Sequence, residues 1–311
     1  MAVGRPVRPP DHVGSEETLV REFTVGKAGD GPYGIAEGPD GALWITLVHS
    51  GRIARLTAEG EVTDHPLDSA ASGPSIITAG SDGALWFTRN RDDRIGRIST
   101  DGETTSFTVR GAPFGITTGP DGALWFTEMN TDTIGRITTD GQVTEFPLPT
   151  TGGFASMIVT GPDDALWFTL NQANAIGRIT VTGEVTLHEL PTPGAAPVGI
   201  TRGPDDALWF AEIGAGQIGR ITGDGVITEF SLPDRAARPH AIAAAPDGGC
   251  WLTEWAANRV AHIAFDGRVT EYELPTPASE PHGLAVTADG TVWTALETGS
   301  VAHHVPGGDL G

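Results

Sequence analysis

The sequence predicts an all-β protein, a seven-bladed β-propeller with four antiparallel strands in each blade. Three observations lead to this fold: a tryptophan that recurs about every 42 residues, four strand-like runs within each repeat, and a displaced strand near the N-terminus. The intervals between the recurring tryptophans are 42, 39, 42, 42, 42 and 42 residues. The tryptophans are Trp44, Trp86, Trp125, Trp167, Trp209, Trp251 and Trp293.

Each repeat reads as four short strands, and the third repeat, residues 113–149, shows this clearly. Its turn segments are Gly-Pro-Asp-Gly, Asn-Thr-Asp and Asp-Gly, which favour tight turns because proline presets φ and glycine accepts positive φ. The apolar or β-branched runs between the turns lie at 114–117, 123–127, 133–138 and 142–146. Four antiparallel strands per repeat are typical of a propeller blade.

The last blade needs a strand from the other end of the chain. The seventh repeat ends at 300–305 without a fourth strand, whereas the segment at 20–23 matches the fourth strands at 143–146 and 269–272. We therefore expect the N-terminal strand to complete the last blade. The corresponding organisation is a flexible segment at 1–18, one propeller domain at 19–305 and a tail at 306–311.

Composition excludes several kinds of partner. The chain has 311 residues and a net charge of -21, which argues against nucleic acid because phosphate binding needs a basic surface. Its single cysteine cannot form an internal disulfide, and no apolar run approaches the ~18 residues of a membrane span. We expect a soluble, cytoplasmic protein, and a monomer because a closed ring covers its own strand edges.

The tryptophans also align the repeats, so that departures from the common pattern become visible. One column stands two residues before the apolar residue of each first strand, at the mouth of the central channel. Its aromatic and histidine members Tyr33, His240 and His282 belong to blades one, six and seven, which are consecutive once the ring closes. The column reads Tyr33, Ser75, Phe114, Ser156, Val198, His240 and His282.

Two neighbouring columns carry charge in the same blades. Arg238 and Glu280 are the charged members of one column, and Glu297 is the acidic member of another, where blade six has Trp255. Two carboxylates and water suit a hard cation such as Mg²⁺, which leaves His282 free to move protons. This group is the candidate catalytic site.

We expect structural roles for the other polar residues of the repeats. The remaining histidines, among them His49, lie at blade edges and tails, where surface or packing roles are expected. Glutamates that follow the tryptophan by three residues recur across blades, which favours a structural role such as accepting bonds from a neighbouring blade. They are Glu128, Glu212 and Glu254.

From about residue 31 to 303 the chain resembles the virginiamycin B lyase (streptogramin B lyase) family, both in its blade phrases and at the candidate site. The blade phrases Gly-Pro-Asp-Gly-Ala-Leu-Trp-Phe-Thr-Glu at 119–128 and Ile-Gly-Arg-Ile-Thr at 134–138 look like that family's. More specific are Gly-Pro-Tyr-Gly-Ile at 31–35, Arg-Pro-His-Ala-Ile at 238–242, Glu-Pro-His-Gly at 280–283 and the Glu297 that ends a second strand.

The resemblance implies a Mg²⁺-dependent carbon–oxygen lyase. It would linearise type B streptogramins, which are cyclic depsipeptide antibiotics, by eliminative cleavage of the ester between threonine and phenylglycine, and so confer resistance. By analogy, His282 would be the general base, and Glu280 and Glu297 would hold Mg²⁺. The resemblance further implies substrate-binding roles, which we expect for Tyr33, His240, Trp255 and Phe114.

Two other functions stay open. A noncatalytic propeller would bind a peptide or sugar at its channel mouth without a metal, and an ester hydrolase would act on another cyclic depsipeptide. Departures from the repeat pattern, Arg89 and Leu170 where sibling repeats have glutamate, affect the scaffold more than the site.

Overall fold

The computed structural model describes residues 20–305, and within them it contains seven four-stranded antiparallel sheets. The predicted seven-bladed propeller is confirmed. The terminal segments predicted at 1–18 and 306–311 lie outside the described residues.

The strands follow the chain blade by blade after an initial strand, β1 (Val20–Thr24). Blade one consists of β2 (Pro32–Glu37), β3 (Leu43–Leu47), β4 (Arg52–Leu56) and β5 (Val62–Pro66). Blade two consists of β6 (Pro74–Ala79), β7 (Leu85–Arg89), β8 (Arg94–Ile98) and β9 (Thr104–Thr108). Blade three consists of β10 (Pro113–Thr118), β11 (Leu124–Glu128), β12 (Thr133–Ile137) and β13 (Val143–Pro147). Blade four consists of β14 (Ala155–Thr160), β15 (Leu166–Leu170), β16 (Ala175–Ile179) and β17 (Val185–Glu189).

Blade five repeats this pattern, blade six adds a short 3₁₀ turn, and blade seven lacks a fourth strand from its own repeat. Blade five consists of β18 (Pro197–Arg202), β19 (Leu208–Glu212), β20 (Gln217–Ile221) and β21 (Ile227–Ser231). Blade six consists of β22 (Pro239–Ala244), β23 (Cys250–Glu254), a single 3₁₀ turn (Trp255–Ala257), β24 (Arg259–Ile263) and β25 (Val269–Glu273). Blade seven has three strands of its own, β26 (Pro281–Val286), β27 (Val292–Leu296) and β28 (Ser300–His304).

The N-terminal strand closes the ring, as predicted. β1 pairs antiparallel with β28, with Val20 opposite His304 and Thr24 opposite Ser300. The carboxylate of Glu22 then accepts hydrogen bonds from the backbone N–H of Thr276 at 3.2 Å and from its hydroxyl at 2.8 Å. Blades six and seven are therefore joined through a strand that comes from the opposite end of the chain.

The tryptophan ladder forms the core between blades. Its first five members are 0% exposed, which explains their spacing because a buried tryptophan removes roughly 150–250 Å² from water. In blade three, Asp121 accepts a bond from the Trp125 indole N–H at 3.0 Å and pairs with Arg136 at 2.6 Å. The same pair of contacts, an indole–aspartate hydrogen bond and an arginine–aspartate ion pair, recurs in blades one, two, four and five.

The buried glutamates bond to side chains of their own blade, and the backbone of Arg110, between blades two and three, also bonds to Glu128. Glu128 accepts a bond from Thr131, and Glu254 pairs with Arg259. These partners lie in the hairpin that follows the glutamate, so the short loop brings them closer than any neighbouring blade. Within residues 20–305 the structure contains no helix that has the length and apolarity to cross a membrane.

Candidate active site at the mouth of the central channel

Bulges in the first strands aim the candidate site residues. The register of β2 against β3 shifts between Pro32 and Ile35, and that irregularity contains Tyr33. The same shift occurs in β22 around His240 and in β26 around His282. A bulge bends a strand and redirects one side chain, and such bulges are common beside active sites.

The three predicted aromatic residues meet. The ring centroids of Tyr33 and His282 are 4.7 Å apart, those of His240 and His282 are 5.3 Å apart, and those of Tyr33 and His240 are 6.0 Å apart. The Tyr33 hydroxyl also lies 3.5 Å from Nε2 of His240. Blades one, six and seven thus contribute one ring each to a single cluster, as the alignment of the repeats predicted.

Contacts between blades hold this cluster in place. The hydroxyl of Thr253 accepts a bond from the N–H of Ala241 at 2.9 Å and donates to the carbonyl of His282 at 3.1 Å. On the other side of His282, a Cβ added to Gly283 would lie 2.1 Å from the carbonyl oxygen of Tyr33. The backbones of blades six, seven and one therefore approach closely, and a glycine is needed at that point.

Glu297 lies beside His282, also as predicted. Its Oε2 is 3.2 Å from Nε2 of His282, and its Oε1 is 2.5 Å from Nε2 of His49. Hydrogen bonds from His282 and then from His49 hold the pKa of the Glu297 carboxyl below its usual value, against the opposing effect of partial burial. At neutral pH this residue is an ionised carboxylate between two imidazoles.

Glu280 is close to Glu297 along the backbone, but its side chain is exposed. The N–H of Glu297 donates to the carbonyl of Glu280 at 3.4 Å, and Glu280 has a left-handed φ of 49°. Residues 20–305 contain no group of three or more His, Cys, Asp or Glu side chains arranged to hold a metal ion. Glu280 and Glu297 supply carboxylate oxygens, the ligand type that Mg²⁺ takes from one or two carboxylates before water and substrate oxygens complete its shell.

Burial sets the protonation of the other two cluster members. Burial, followed by the nearby charge of His282, lowers the pKa of His240 to about 4, so its ring is neutral at neutral pH. Burial, followed by the negative charge of Glu297, raises the pKa of the Tyr33 hydroxyl, which therefore stays protonated. The cluster consequently offers a neutral imidazole and a neutral phenol next to the His282–Glu297 pair.

An apolar cavity of about 470 Å³ lies inside the channel next to these residues. Tyr33, His240 and Phe114 line it, and the rings of Tyr33 and Phe114 are 6.1 Å apart. The rest of its wall is mainly aliphatic or sulfur-containing, and includes Met129, Met157, Val198 and Ile213. A ligand with apolar side chains would fill this cavity from the mouth.

Trp255 lies apart from this cavity. It begins the 3₁₀ turn after β23 and lies under the guanidinium of Arg238, 5.8 Å from the ring centroid. The cavity wall does not include it. Its role as an apolar wall for the substrate stays a prediction.

Two residues of the site were missed in the sequence. His49, expected to have a surface or packing role, contacts Glu297, and Arg91 Nη2 lies 3.3 Å from its Nδ1. Both stand five residues after a tryptophan of the repeat, so they share one column of the alignment between repeats. Comparing that column would have shown polar side chains in blades one to four, where blades five and six have glycine and alanine.

Comparison with known proteins places the chain in one family. The sequence profile of the Virginiamycin B lyase family matches residues 18–304. A virginiamycin B lyase of Saccharopolyspora erythraea is 62% identical over 50 residues, and this matched segment spans 16% of this chain and 17% of that relative.

Two solved structures from Staphylococcus aureus cover almost the whole fold. Selenomethionine-substituted virginiamycin B lyase is 43% identical with a TM-score of 0.90, covering 93% of this chain and 100% of that one. A catalytically inactive histidine-to-alanine variant of the same enzyme with quinupristin is 42% identical with a TM-score of 0.90, again covering 93% and 100%. The profile match and this structural likeness confirm the predicted family, and the chain belongs to the virginiamycin B lyase family, a family of lyases.

Proposed function

We propose that this protein linearises type B streptogramins by eliminating the ester bond between the threonine side-chain oxygen and the C-terminal phenylglycine. The observation that carries the proposal is the cluster of Tyr33, His240, His282 and Glu297 beside an apolar cavity. Membership of the virginiamycin B lyase family supports the substrate class. The inactive histidine-to-alanine variant of the Staphylococcus aureus enzyme supports a catalytic histidine.

In the proposed reaction His282 is the general base. Its Nδ1 is buried and has no hydrogen-bond partner within residues 20–305, whereas its Nε2 faces Glu297. Since an ionised carboxylate only accepts hydrogen bonds, Nε2 carries the ring proton and donates to Glu297, and the unprotonated Nδ1 takes the Cα proton of the threonine residue. The C–H electron pair forms the Cα=Cβ double bond, and the Cβ–O bond breaks to release a carboxylate. The carboxylate of Glu297, 3.2 Å away, stabilises the imidazolium that results.

The neighbouring residues would bind and orient the ring of the substrate. The neutral His240 and the Tyr33 hydroxyl can exchange hydrogen bonds with ester or amide groups, and both line the cavity. Phe114 would contact an aromatic side chain of the substrate from the cavity wall. Trp255 would contact the substrate only at the outer rim, since it lies outside the cavity.

We propose Mg²⁺ as the cofactor, held by the carboxylates of Glu280 and Glu297. These are oxygen ligands, which Mg²⁺ prefers, and backbone contact keeps the two residues adjacent. When bound, a hard cation would supply polarisation of the ester carbonyl, which improves the carboxylate as a leaving group. Chelation should therefore stop turnover.

Mass analysis of the product tests the proposed reaction. The purified protein is incubated with a type B streptogramin in the presence and absence of Mg²⁺. Elimination gives a linear product with the mass of the substrate, whereas an ester hydrolase would add one water. A substrate that stays cyclic under all conditions would favour a noncatalytic binding protein and contradict the proposal.

The variant His282→Ala tests the base. Loss of a general base should lower kcat by about 10²- to 10⁴-fold. The melting temperature should change little, because the imidazole of His282 lies at the channel mouth and not in the apolar core between blades. His188→Ala is the matched control, since His188 stacks on Trp167 in blade four, away from the site. Normal turnover by His282→Ala would contradict the mechanism.

We also propose that the enzyme is a cytoplasmic monomer that confers resistance to these antibiotics. The closed ring supports the monomer because β1 completes the last blade and each sheet is left with only a short outer edge. Size-exclusion chromatography with light scattering tests the oligomeric state. Expression in a susceptible bacterium tests resistance, which the His282→Ala variant should not confer.

A further inference from the structure

We infer that His49 and Arg91 are positioning residues that orient the carboxylate of Glu297 for its partnership with His282. This inference rests on the proposed function, because it assigns Glu297 a place in the reaction. It concerns side chains of blades one and two, which reach Glu297 of blade seven across the seam of the ring. None of the proposed catalytic steps places either residue in contact with the substrate.

The hydrogen-bond directions follow from the chemistry of the groups. The guanidinium of Arg91 has only donors, so Nδ1 of His49 accepts from Arg91 Nη2 at 3.3 Å. The other nitrogen of His49, Nε2, then carries the ring proton and donates to Oε1 of Glu297 at 2.5 Å. Arg91 thereby selects the histidine tautomer that can hold the carboxylate, and Oε2 stays directed at His282.

Glycines give both side chains their places. A Cβ added to Gly31 would lie 2.5 Å from Cδ2 of His49, and one added to Gly73 would lie 2.7 Å from Cγ of Arg91. The backbone of each blade fixes the same residues, since the N–H of His49 donates to the carbonyl of Asp30 at 3.0 Å. The chain Arg91–His49–Glu297–His282 is therefore supported at each residue by rigid blade structure.

Stability does not account for this contact. The side chain of His49 is 42% exposed and that of Glu297 is 26% exposed. Ion pairs with this exposure contribute at most about 1 kcal/mol to folding. The effect of the His49–Glu297 contact is to fix one rotamer of the Glu297 carboxylate next to His282. Residues that hold active-site ligands commonly act in this way.

Two substitutions of His49 test the inference. His49→Met fills similar space without a donor, and should lower kcat about 10- to 100-fold while KM changes little. His49→Gln keeps an N–H that can donate to Glu297, and should recover most of that loss. His188→Met is the matched control and should leave kcat unchanged, although loss of the ring stacked on Trp167 should lower its melting temperature.

A second variant reaches His49 without changing it. Gly31→Ala places a methyl group where the imidazole lies, and the backbone accepts it because Ala112 and Ala196 occupy the same repeat position with φ of 53° and 52°. Gly31→Ala should lower kcat in the wild-type background and add no further loss to His49→Met. An equal loss in both backgrounds would place the effect on the strand and overturn the role of the glycine.

The outcomes separate this inference from the proposed function. A wild-type protein without ring-opening activity would refute the proposed function and the inference with it. An active wild type with an unchanged kcat in His49→Met would overturn the inference alone. Equal losses in the Met and Gln variants would also overturn it, because the donor would then be irrelevant.

Discussion

Protonation at the candidate site is set residue by residue by local surroundings. Burial lowers the pKa of His240 to about 4 and raises that of Tyr33, while bonds from two histidines lower that of Glu297. Groups that lie within one cluster are thereby driven apart in their titration. This separation is a common property of acid–base sites.

The hydroxyl of Tyr33 should contribute to substrate binding more than to folding. Tyr33→Phe keeps the ring contact with His282 but removes the hydroxyl that lies near His240. A single lost hydrogen bond of about 1 kcal/mol predicts a fall in kcat/KM of roughly 5- to 10-fold, measured by steady-state kinetics. An unchanged kcat/KM would show that the hydroxyl does not touch the substrate.

The second tyrosine of the chain provides the control. Tyr272 packs on Trp251 with a centroid separation of 5.5 Å, in the core of blade six. Tyr272→Phe should affect melting temperature more than kcat/KM. A similar kinetic loss in both variants would indicate a general effect on the fold.

Sequence comparison between repeats predicts residues well where each blade contributes independently. Tyr33, His240 and His282 were found because their column is otherwise small or apolar. The His49–Glu297 contact was missed because it joins residues 248 apart in sequence across the seam of the ring. Which side chain reaches across that seam depends on rotamers and on the distance between blades, which the repeat pattern does not encode.

At the scale of elements, β1 gives blade seven the outer strand that every other blade supplies from its own repeat. Its Glu22 holds Thr276, and Glu229 in β21 holds Thr192 with bonds of 3.0 and 2.7 Å in the same way. The Glu22–Thr276 and Glu229–Thr192 pairs make the same two hydrogen bonds, although Glu22 is on a strand from the far end of the chain. Comparing them separates the contribution of ring closure by β1 from that of an ordinary outer strand.

We expect Glu22→Ala to lower the free energy of unfolding by about 1.5–3 kcal/mol, the range for hydrogen bonds to a charged group. Glu229→Ala should cost a similar amount, and the exposed Glu61→Ala should change it by less than about 0.5 kcal/mol. Urea denaturation measures all three. A loss in Glu229→Ala without one in Glu22→Ala would mean that closure by β1 contributes little.

At the scale of the whole molecule, the scaffold and the site follow different rules of sequence. The tryptophan spacing predicts seven blades because each blade must bury the same residue against its neighbour. The site depends on departures from that repetition in side-chain identity, displayed on a bulge that the first strands of all seven blades share. Fold was therefore predictable from periodicity, while the arrangement of the site required three-dimensional contacts.

The interior of the ring also couples its stability to pH. Glu212 is completely buried, and burial raises the pKa of its carboxyl from 4.5 to about 7. Because the folded-state pKa lies above the unfolded one, this group stabilises the fold fully below pH 4.5 and loses that contribution as pH rises through 7. Between pH 5 and pH 8 the loss is of the order of 1–3 kcal/mol.

Glu212→Gln should remove this dependence, because the amide is never charged and its oxygen can still accept the bond that Gln217 donates at 2.7 Å. The variant should be more stable than the wild type at pH 8 and close to it at pH 5, measured by urea denaturation at both values. Glu254→Gln is the informative contrast, since Arg259 would lose its buried partner and offset the gain. If Glu212→Gln kept the pH dependence of the wild type, the buried carboxyl would not be its source.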